Sequence, residues 1–513
     1  MKLTRRTFLA LSTALAATLP LHNGEVFAAE RSDTLIVGTM WEALPLAMAP
    51  RRSRFFNESE ILDTLIKFDY EMTMQPGLAT AWTRLTPTRW AFTLREGVVF
   101  HDGAPLDAAA VKNSLERVVA LLPYAAELLN IASIEIKGPL ALEIETKEPF
   151  AALPNQLTDA FTGIYAPASF NAEGKFVKPV GTGPWRFVEY KKQDRTIVER
   201  FEQYWGKAPS LARIEYRFIP DHNARTLALE TGEIDYADNL LPADSVRLKA
   251  DPKFKVYAEP ASGLFYGAFN TAGDTPLADK RVRQALNALV DRDLIVKAAL
   301  DGVGVPAWQF FGPQFSWAPK VEPYKLDQAK ATKLLQEAGY TKTDGKWMKD
   351  GKQLTLRILS YTSRTEMGAI SEALAALLAN EGVASEVKLY TWEGMLDLVR
   401  PGQYDISVVF WTPEMTGHPD LHLKSQFHSK AGMNYQGWAN PRFDALVDKG
   451  RGLDAGPEWD ATYREALAIL QDDAPIIPLV HNVFTAASTA KLEGYRVHPS
   501  GFFYNFKAVS LGK

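Results

Sequence analysis

Cysteine is absent from the 513-residue chain. That excludes disulfides, thiolate metal sites, a cysteine nucleophile and the lipid-modified cysteine of a membrane-tethered lipoprotein. Long apolar runs are also missing. The stretch from Phe8 to Leu21 falls short of the ~20 apolar residues that span a bilayer, and no second run is long enough. An excess of positive charge is missing too, with 57 basic residues against 61 acidic ones. Nucleic acid is therefore not an expected partner. No Gly-x-Ser-x-Gly nucleophile elbow occurs. Gly181-Thr182-Gly183 is not followed by the Lys-Ser/Thr of a phosphate loop.

The chain does carry an export signal. Lys2, Arg5 and Arg6 form a basic start, the apolar stretch follows, and Val26-Phe27-Ala28 supplies a small-x-small cleavage pattern before Ala29-Glu30. Thr4-Arg5-Arg6-Thr7-Phe8-Leu9 has the twin-arginine pattern, which a receptor for folded cargo reads. Residues 1–28 are thus expected to be a removable signal peptide of the twin-arginine type. Without them, 54 basic residues face 60 acidic ones, a net charge of −6. The mature protein is expected to be free in the periplasm, neither anchored nor membrane-spanning, and its remaining length suffices for two or three core-bearing domains.

Strand-like and helix-like segments alternate. Leu35–Gly38 reads as a buried strand, and Trp90–Leu94 alternates like a half-exposed one. Asp107 is placed to cap a helix running to Val119. Ile134 to Ile144 reads as two strands joined through Gly138-Pro139. Leu277 to Leu300 reads as two consecutive helices, and Lys325–Ala338 as a helix stopped at Gly339. Asp350-Gly351 marks a hairpin. Leu354–Leu359, Met367–Asn380 and Val383–Leu389 form a strand–helix–strand unit, with a further strand at Tyr404–Trp411. The class is α/β with mixed sheets. A polar link from Phe269-Asn270 through Pro276 separates two differently patterned halves.

Several blocks, in collinear order, carry a family resemblance. They are Gln75-Pro76-Gly77-Leu78-Ala79 with Trp82; Phe92-Thr93-Leu94-Arg95-Glu96-Gly97-Val98-Val99-Phe100-His101-Asp102-Gly103; and Val180-Gly181-Thr182-Gly183-Pro184-Trp185. Tyr204-Trp205-Gly206 follows, then Arg225 with Glu230-Thr231-Gly232-Glu233 and Asp235, and finally Asn270 with Val282-Arg283-Gln284-Ala285-Leu286. In these the chain resembles family 5 of the bacterial extracellular solute-binding proteins, which serve ABC importers of dipeptides, oligopeptides, glutathione and nickel. The resemblance implies a two-lobe periplasmic-binding-protein clamp with an extra subdomain and a hinge. Residues 29–268 plus 484–513 form lobe I, with the subdomain inserted at about 73–180, and residues 269–483 form lobe II. The chain crosses between lobes near 262–270 and 480–487.

The resemblance also directs attention to the loop after Trp411. Many peptide-binding relatives hold the ligand's amino terminus there with the first carboxylate of a Gly-Asp-Pro-Asp-like string. This chain reads Gly417-His418-Pro419-Asp420, so His418 takes that position unless Asp420 or Glu414 substitutes. A neutral imidazole suits a metal, a carboxylate or a hydroxyl better than an ammonium. His428 lies where nickel-binding relatives carry a histidine, and His481 sits beside the expected hinge. Trp411, His418, His428, His481, Tyr435, Arg52 and Trp41 are therefore the candidate ligand contacts. His428 and His481 are the candidate metal contacts if the ligand is a metal chelate.

The expected function is that of the substrate-binding component of an ABC importer. It captures a short peptide or a nickel chelate between the lobes and delivers it to an inner-membrane permease, with no cofactor and no catalysis. A periplasmic chaperone or ligand sensor is the alternative on the same fold. A secreted metallohydrolase is the remote one, because Pro419 stands where the general-base Glu would follow the first histidine of His418-x-x-x-His422.

Overall fold

The computed structural model describes residues 33–42, 55–501 and 503–512. The expected signal peptide, residues 1–28, and Arg52 lie outside the described residues. In chain order the elements that place the site begin with β1 (Thr34–Thr39), then β2 (Ala79–Thr86) and β3 (Arg89–Leu94). Helix α1 (Ala108–Leu121) and strands β4 (Ile131–Gly138) and β5 (Ala141–Thr146) follow. Next come β6 (Trp185–Lys191), β7 (Arg195–Arg200), β8 (Arg213–Phe218), β9 (Tyr236–Asp238) and the long β10 (Phe254–Phe269). The second half contributes α2 (Lys280–Leu289), β11 (Thr355–Tyr361), α3 (Glu366–Asn380), β12 (Ala384–Tyr390) and β13 (Ile406–Trp411). The series closes with α4 (Pro441–Arg451), α5 (Pro457–Asp473) and the long β14 (Ile476–Thr489).

Local chemistry explains many of these boundaries. The Asp107 carboxylate accepts a 2.8 Å bond from the Ala110 N–H and starts α1 where the sequence places it. The helix expected from Lys325 begins instead at Gln328, because the Asp327 side chain accepts the Lys330 N–H at 2.8 Å and so becomes the cap. In α2, Val282, Ala285, Leu286 and Leu289 repeat at helical spacing and all are buried.

Among the described residues, one large mixed sheet runs in the order β12-β11-β13-β10-β14-β9-β1-β8-β7-β6. Strands β10 and β14 span it and divide it into two halves. In one half β1 lies parallel to both β8 and β9. In the other β11 lies parallel to both β12 and β13. The pairing of β10 with β14 breaks register between Pro260 and Leu264, at the start of the expected crossover between lobes. A separate antiparallel sheet, β2-β3-β5-β4, packs with α1 around Phe92, Leu94, Val111, Leu115, Ile134 and Ile144. It lies between β1 and β6 in the chain, where the inserted subdomain is expected. The architecture is a two-lobe α/β clamp. No described helix is long and apolar enough to cross a membrane.

Candidate functional site

In open α/β sheets the crevice outside the carboxyl ends of parallel strands is where ligands bind. Here two such edges converge. Trp411, at the end of β13, pairs with Leu264, which pairs in turn with His481 on β14. Asp238, at the end of β9, pairs with Ala486 a few residues further along the same strand. The carboxyl edges of both halves of the sheet therefore face the expected crossover, and the chain leaving each strand supplies the candidate cleft residues. Trp41 follows β1, Arg364 follows β11, Trp392 follows β12, and the strap beginning at Thr412 follows β13.

On the lobe I side a buried network fixes the backbone that presents Trp41. The Asp238 carboxylate accepts from the Tyr504 hydroxyl at 2.8 Å and from the Met40 N–H at 3.3 Å. The Thr39 hydroxyl lies 2.9 Å from the Tyr504 hydroxyl and accepts the Trp41 N–H at 3.1 Å. Fully buried Arg225 donates to the Asp238 carbonyl at 2.9 Å. The Trp41 indole is left 37% exposed.

On the lobe II side Trp411 is half-buried, edge-on to Trp392 at 6.2 Å and to His422 at 6.1 Å between ring centroids. Trp392 in turn stands edge-on to Tyr361 at 5.0 Å. The Arg364 guanidinium lies 3.9 Å from the centre of the Phe410 ring and 5.5 Å from that of Phe265. Its carboxylate neighbour, Glu366, is 3.5 Å away, and its buried Nε has no hydrogen-bond partner. Stacked, weakly paired and planar, it is suited to grip a carboxylate. Arg364 was not a candidate from sequence alone. The signal that reaches it is positional: it lies just past the carboxyl end of the strand expected at Leu354–Leu359.

The strap carries most of the histidines. His418 turns onto α5, edge-on to Trp459 and Tyr463. Its Nδ1 is 3.1 Å from the Asp420 N–H and its Nε2 is 3.0 Å from the Trp459 indole N–H. A neutral imidazole accepts at one nitrogen only, so one of these is a contact rather than a bond. Burial, with nearby Arg451, pushes the His418 pKa down to about 3. Buried His428 accepts the Lys430 N–H at Nδ1 and lies 3.4 Å from the Asp448 carboxylate of α4. His481 is buried on β14 with no hydrogen bond of normal geometry at either ring nitrogen, and burial holds it at about pH 3. Tyr435 sits at the other end of lobe II. Its carbonyl accepts the Tyr404 hydroxyl, next to Asn270 and roughly 20 Å along β10 from Trp411 at strand rise. The structure thus groups Trp411 with Trp392 and His422, sets His481 two strands away, and keeps His428 and Tyr435 apart from them. Among the described residues no cluster of three or more His, Cys, Asp or Glu is placed to hold a metal ion.

Of the other carboxylates of the strap, Glu414 is committed to protein donors and Asp420 faces Arg451. Glu414 is fully buried and accepts from the Gly312 N–H at 2.9 Å, the Gly263 N–H at 3.1 Å and the Ser262 hydroxyl at 3.2 Å. Gly263 has φ +143°, and a Cβ there would sit 2.6 Å from the Phe410 ring, so only glycine brings its N–H to this carboxylate. The Asp420 carboxylate lies 3.0 Å from Arg451 Nε.

The lobes meet along a seam beyond the cleft. Arg451 pairs with Glu148 at 2.6 Å, and its carbonyl accepts the Ala151 N–H. Arg84 donates to the Gly452 carbonyl at 2.9 Å. The Asn155 amide donates to the carbonyls of Thr416 and Gly417 at 3.1 and 3.3 Å. Gly417 has φ +61°, and a Cβ there would lie 2.7 Å from the Phe68 ring, so this contact also requires glycine. Asn155 reaches across to the strap, so Asn155→Ala weakens the closed form of the clamp. Ligand affinity is expected to fall about fivefold by calorimetry, the equivalent of roughly one hydrogen bond, with little change in melting temperature.

Comparison with known proteins agrees with this geometry. Residues 73–434 match the model of "Bacterial extracellular solute-binding proteins, family 5 Middle". The glutathione-binding protein GsiB of Salmonella paratyphi A is 30% identical over 468 residues, which cover 86% of this chain and 87% of that protein. NikA from Brucella suis, solved with Fe(III)-EDTA, superimposes with a TM-score of 0.85 at 24% identity, covering 93% of this chain and 99% of that one. The oligopeptide-binding protein AppA from Bacillus subtilis, solved with a nonapeptide, gives 0.76 at 25% identity, with 94% and 99% covered.

Proposed function

Because the chain belongs to family 5 of the bacterial extracellular solute-binding proteins, we propose that it is the exported, periplasmic substrate-binding component of an ABC importer. It captures a small carboxylate-bearing solute between its lobes and hands it to an inner-membrane permease. What supports this reading is the position of Trp41, Arg364 and Trp411 at or just past the carboxyl ends of β1, β11 and β13, in two lobes that touch along the seam. Closure around a solute by a hinge needs those parts and no catalytic group.

The chemistry of the cleft narrows the solute. Arg364 is an available cation, whereas Glu414 is already engaged by protein groups and Asp420 lies at the seam beyond the cleft, so at the cleft a ligand carboxylate has a partner and a ligand ammonium lacks one. Glutathione, a peptide and an EDTA chelate, the molecules named for the relatives above, all carry carboxylates. A short acidic peptide, or a metal held by a carboxylate chelator, fits the same grip. The twin-arginine pattern supports export of the folded clamp. Capture without turnover is part of the proposal.

Calorimetry of the mature protein with glutathione, dialanine, and nickel plus histidine tests it. Saturable heat is expected with at least one of them, weakened at least tenfold in Arg364→Ala and in Trp411→Ala. Binding indifferent to both substitutions would remove the cleft assignment, and conversion of the ligand during the titration would remove the non-enzyme reading.

A further inference from the structure

We propose that the seam between the lobes holds a second binding site, for a zwitterion the size of a free amino acid, separate from the cleft at the crossover. A cavity of about 290 Å³ opens where the subdomain meets the strap, close to the lower end of the range for small-molecule sites. Asn130, Lys147 and Glu148 line it from the subdomain, and Asp420, Lys424 and Arg451 line it from lobe II. None of these residues belongs to the group around Trp41, Trp411 and Arg364. The Asn155 and Phe68 contacts with Gly417 also join the subdomain side to the strap.

The polar groups of this cavity are incompletely matched. Asp420 is 2% exposed and Arg451 7%. A carboxylate oxygen of the first lies 3.0 Å from Nε of the second, yet neither atom makes an aligned hydrogen bond. The Asn130 amide nitrogen is buried without a partner. Lys147 makes no ion pair among the described residues, and its backbone N–H on the Asn130 carbonyl keeps the two side by side. Lys424 is already paired with Asp448. Buried donors and acceptors left unmatched are costly, so such groups mark where a polar molecule sits.

Asn130 and Lys147 offer donors to a carboxylate, and the misaligned Asp420 offers an acceptor to an ammonium. Lys147, Lys424 and Arg451 are balanced by Glu127, Glu148 and Asp420 around the cavity, so a neutral molecule with separated charges matches better than an ion of either sign. Leu128 and Leu421 leave an apolar wall for a small side chain. Since both lobes contribute, the site is complete only while they touch. Its ligand therefore stabilises the closed clamp and, by reciprocity, tightens whatever the main cleft holds.

Calorimetry and ligand-observed NMR of the full mature chain with L-alanine test the proposal, whichever solute the cleft imports. Exposed Lys147→Ala leaves the fold intact, and Asn130→Asp turns the donor into an acceptor while keeping a residue type that tolerates its left-handed backbone. Saturable L-alanine binding is expected, weakened at least tenfold in each seam variant and retained in Trp411→Ala and Arg364→Ala. Three results would overturn it: no saturation up to about 10 mM, binding unchanged in both seam variants, or loss in the cleft variants, which would put the amino acid at the crossover.

Discussion

Acidifying the protein from pH 7 to pH 5 lowers its folding stability steeply. Burial depresses five imidazoles in the folded state: His101 and His498 to about 4, and His418, His422 and His481 to about 3. All five are buried and uncharged in the fold, and each takes a proton near 6.5 once unfolded. A group with a depressed folded pKa contributes stability that is present above its unfolded pKa and lost as pH falls toward the folded one. The window here runs from 6.5 down to about 3.

Two carboxylates oppose this. Burial raises Glu414 to about 7 and Asp420 to about 6, so each binds a proton in the fold before it does so unfolded, and each gains stability as pH falls through that range. Five imidazoles outweigh two carboxyls. The unfolded chain binds about three more protons than the folded one near pH 5.5, and the accumulated loss between pH 7 and 5 is roughly 5 kcal/mol. That is comparable with the whole stability of many domains. Urea unfolding at pH 7, 6 and 5 measures it, and a stability that stays flat or rises on acidification would contradict the buried neutral histidines.

Those histidines also show where sequence reading stops. Elements governed by neighbours in the chain were legible. The Asp107 cap, the Asp350-Gly351 hairpin and the parallel strand–helix–strand unit are all local decisions, made by side chains a few residues apart. The strap has no such period. Thr412 to His428 is neither helix-patterned nor alternating, so nothing in it says which way a side chain turns. His418 is directed by Trp459 and Tyr463, and Asp420 by Arg451, all from helices further along the chain. A strand's end is also visible in sequence, and Trp411 and Trp41 stand at such ends, where open α/β sheets bind ligands. Applied evenly, that rule also reaches Arg364. Tyr435 is close to the strap in sequence but is carried to the opposite end of lobe II by the turn that bonds Gln436 to Thr271, a contact between residues far apart in the chain.

Glu414→Ala is expected to be the most damaging single substitution near the cleft, at about 3 to 5 kcal/mol. The carboxylate gathers three donors from two segments, Ser262 and Gly263 at the crossover and Gly312 in lobe II, and its removal leaves all three buried without an acceptor. Glu414→Gln retains one acceptor oxygen and the volume. Its amide can donate to the Ser262 hydroxyl, so only the Gly263 N–H loses its partner, at about 1 to 2 kcal/mol. The two variants also separate in their pH response. Wild-type Glu414, raised to about 7 by burial, contributes most below its unfolded pKa and loses that contribution as pH rises through 7. The wild-type advantage over Glu414→Gln therefore shrinks between pH 5 and pH 8. The same pair of variants distinguishes the structural role from the one the sequence leaves open, a carboxylate that anchors a ligand ammonium. A buckle at the crossover predicts that Glu414→Ala loses stability with or without ligand, and that Glu414→Gln largely restores it. A ligand anchor predicts the reverse: normal unfolding in the absence of ligand, and binding of a free-amine peptide abolished equally by Ala and Gln. Denaturant unfolding with and without glutathione decides between them, and the three bonds already made by the carboxylate favour the buckle.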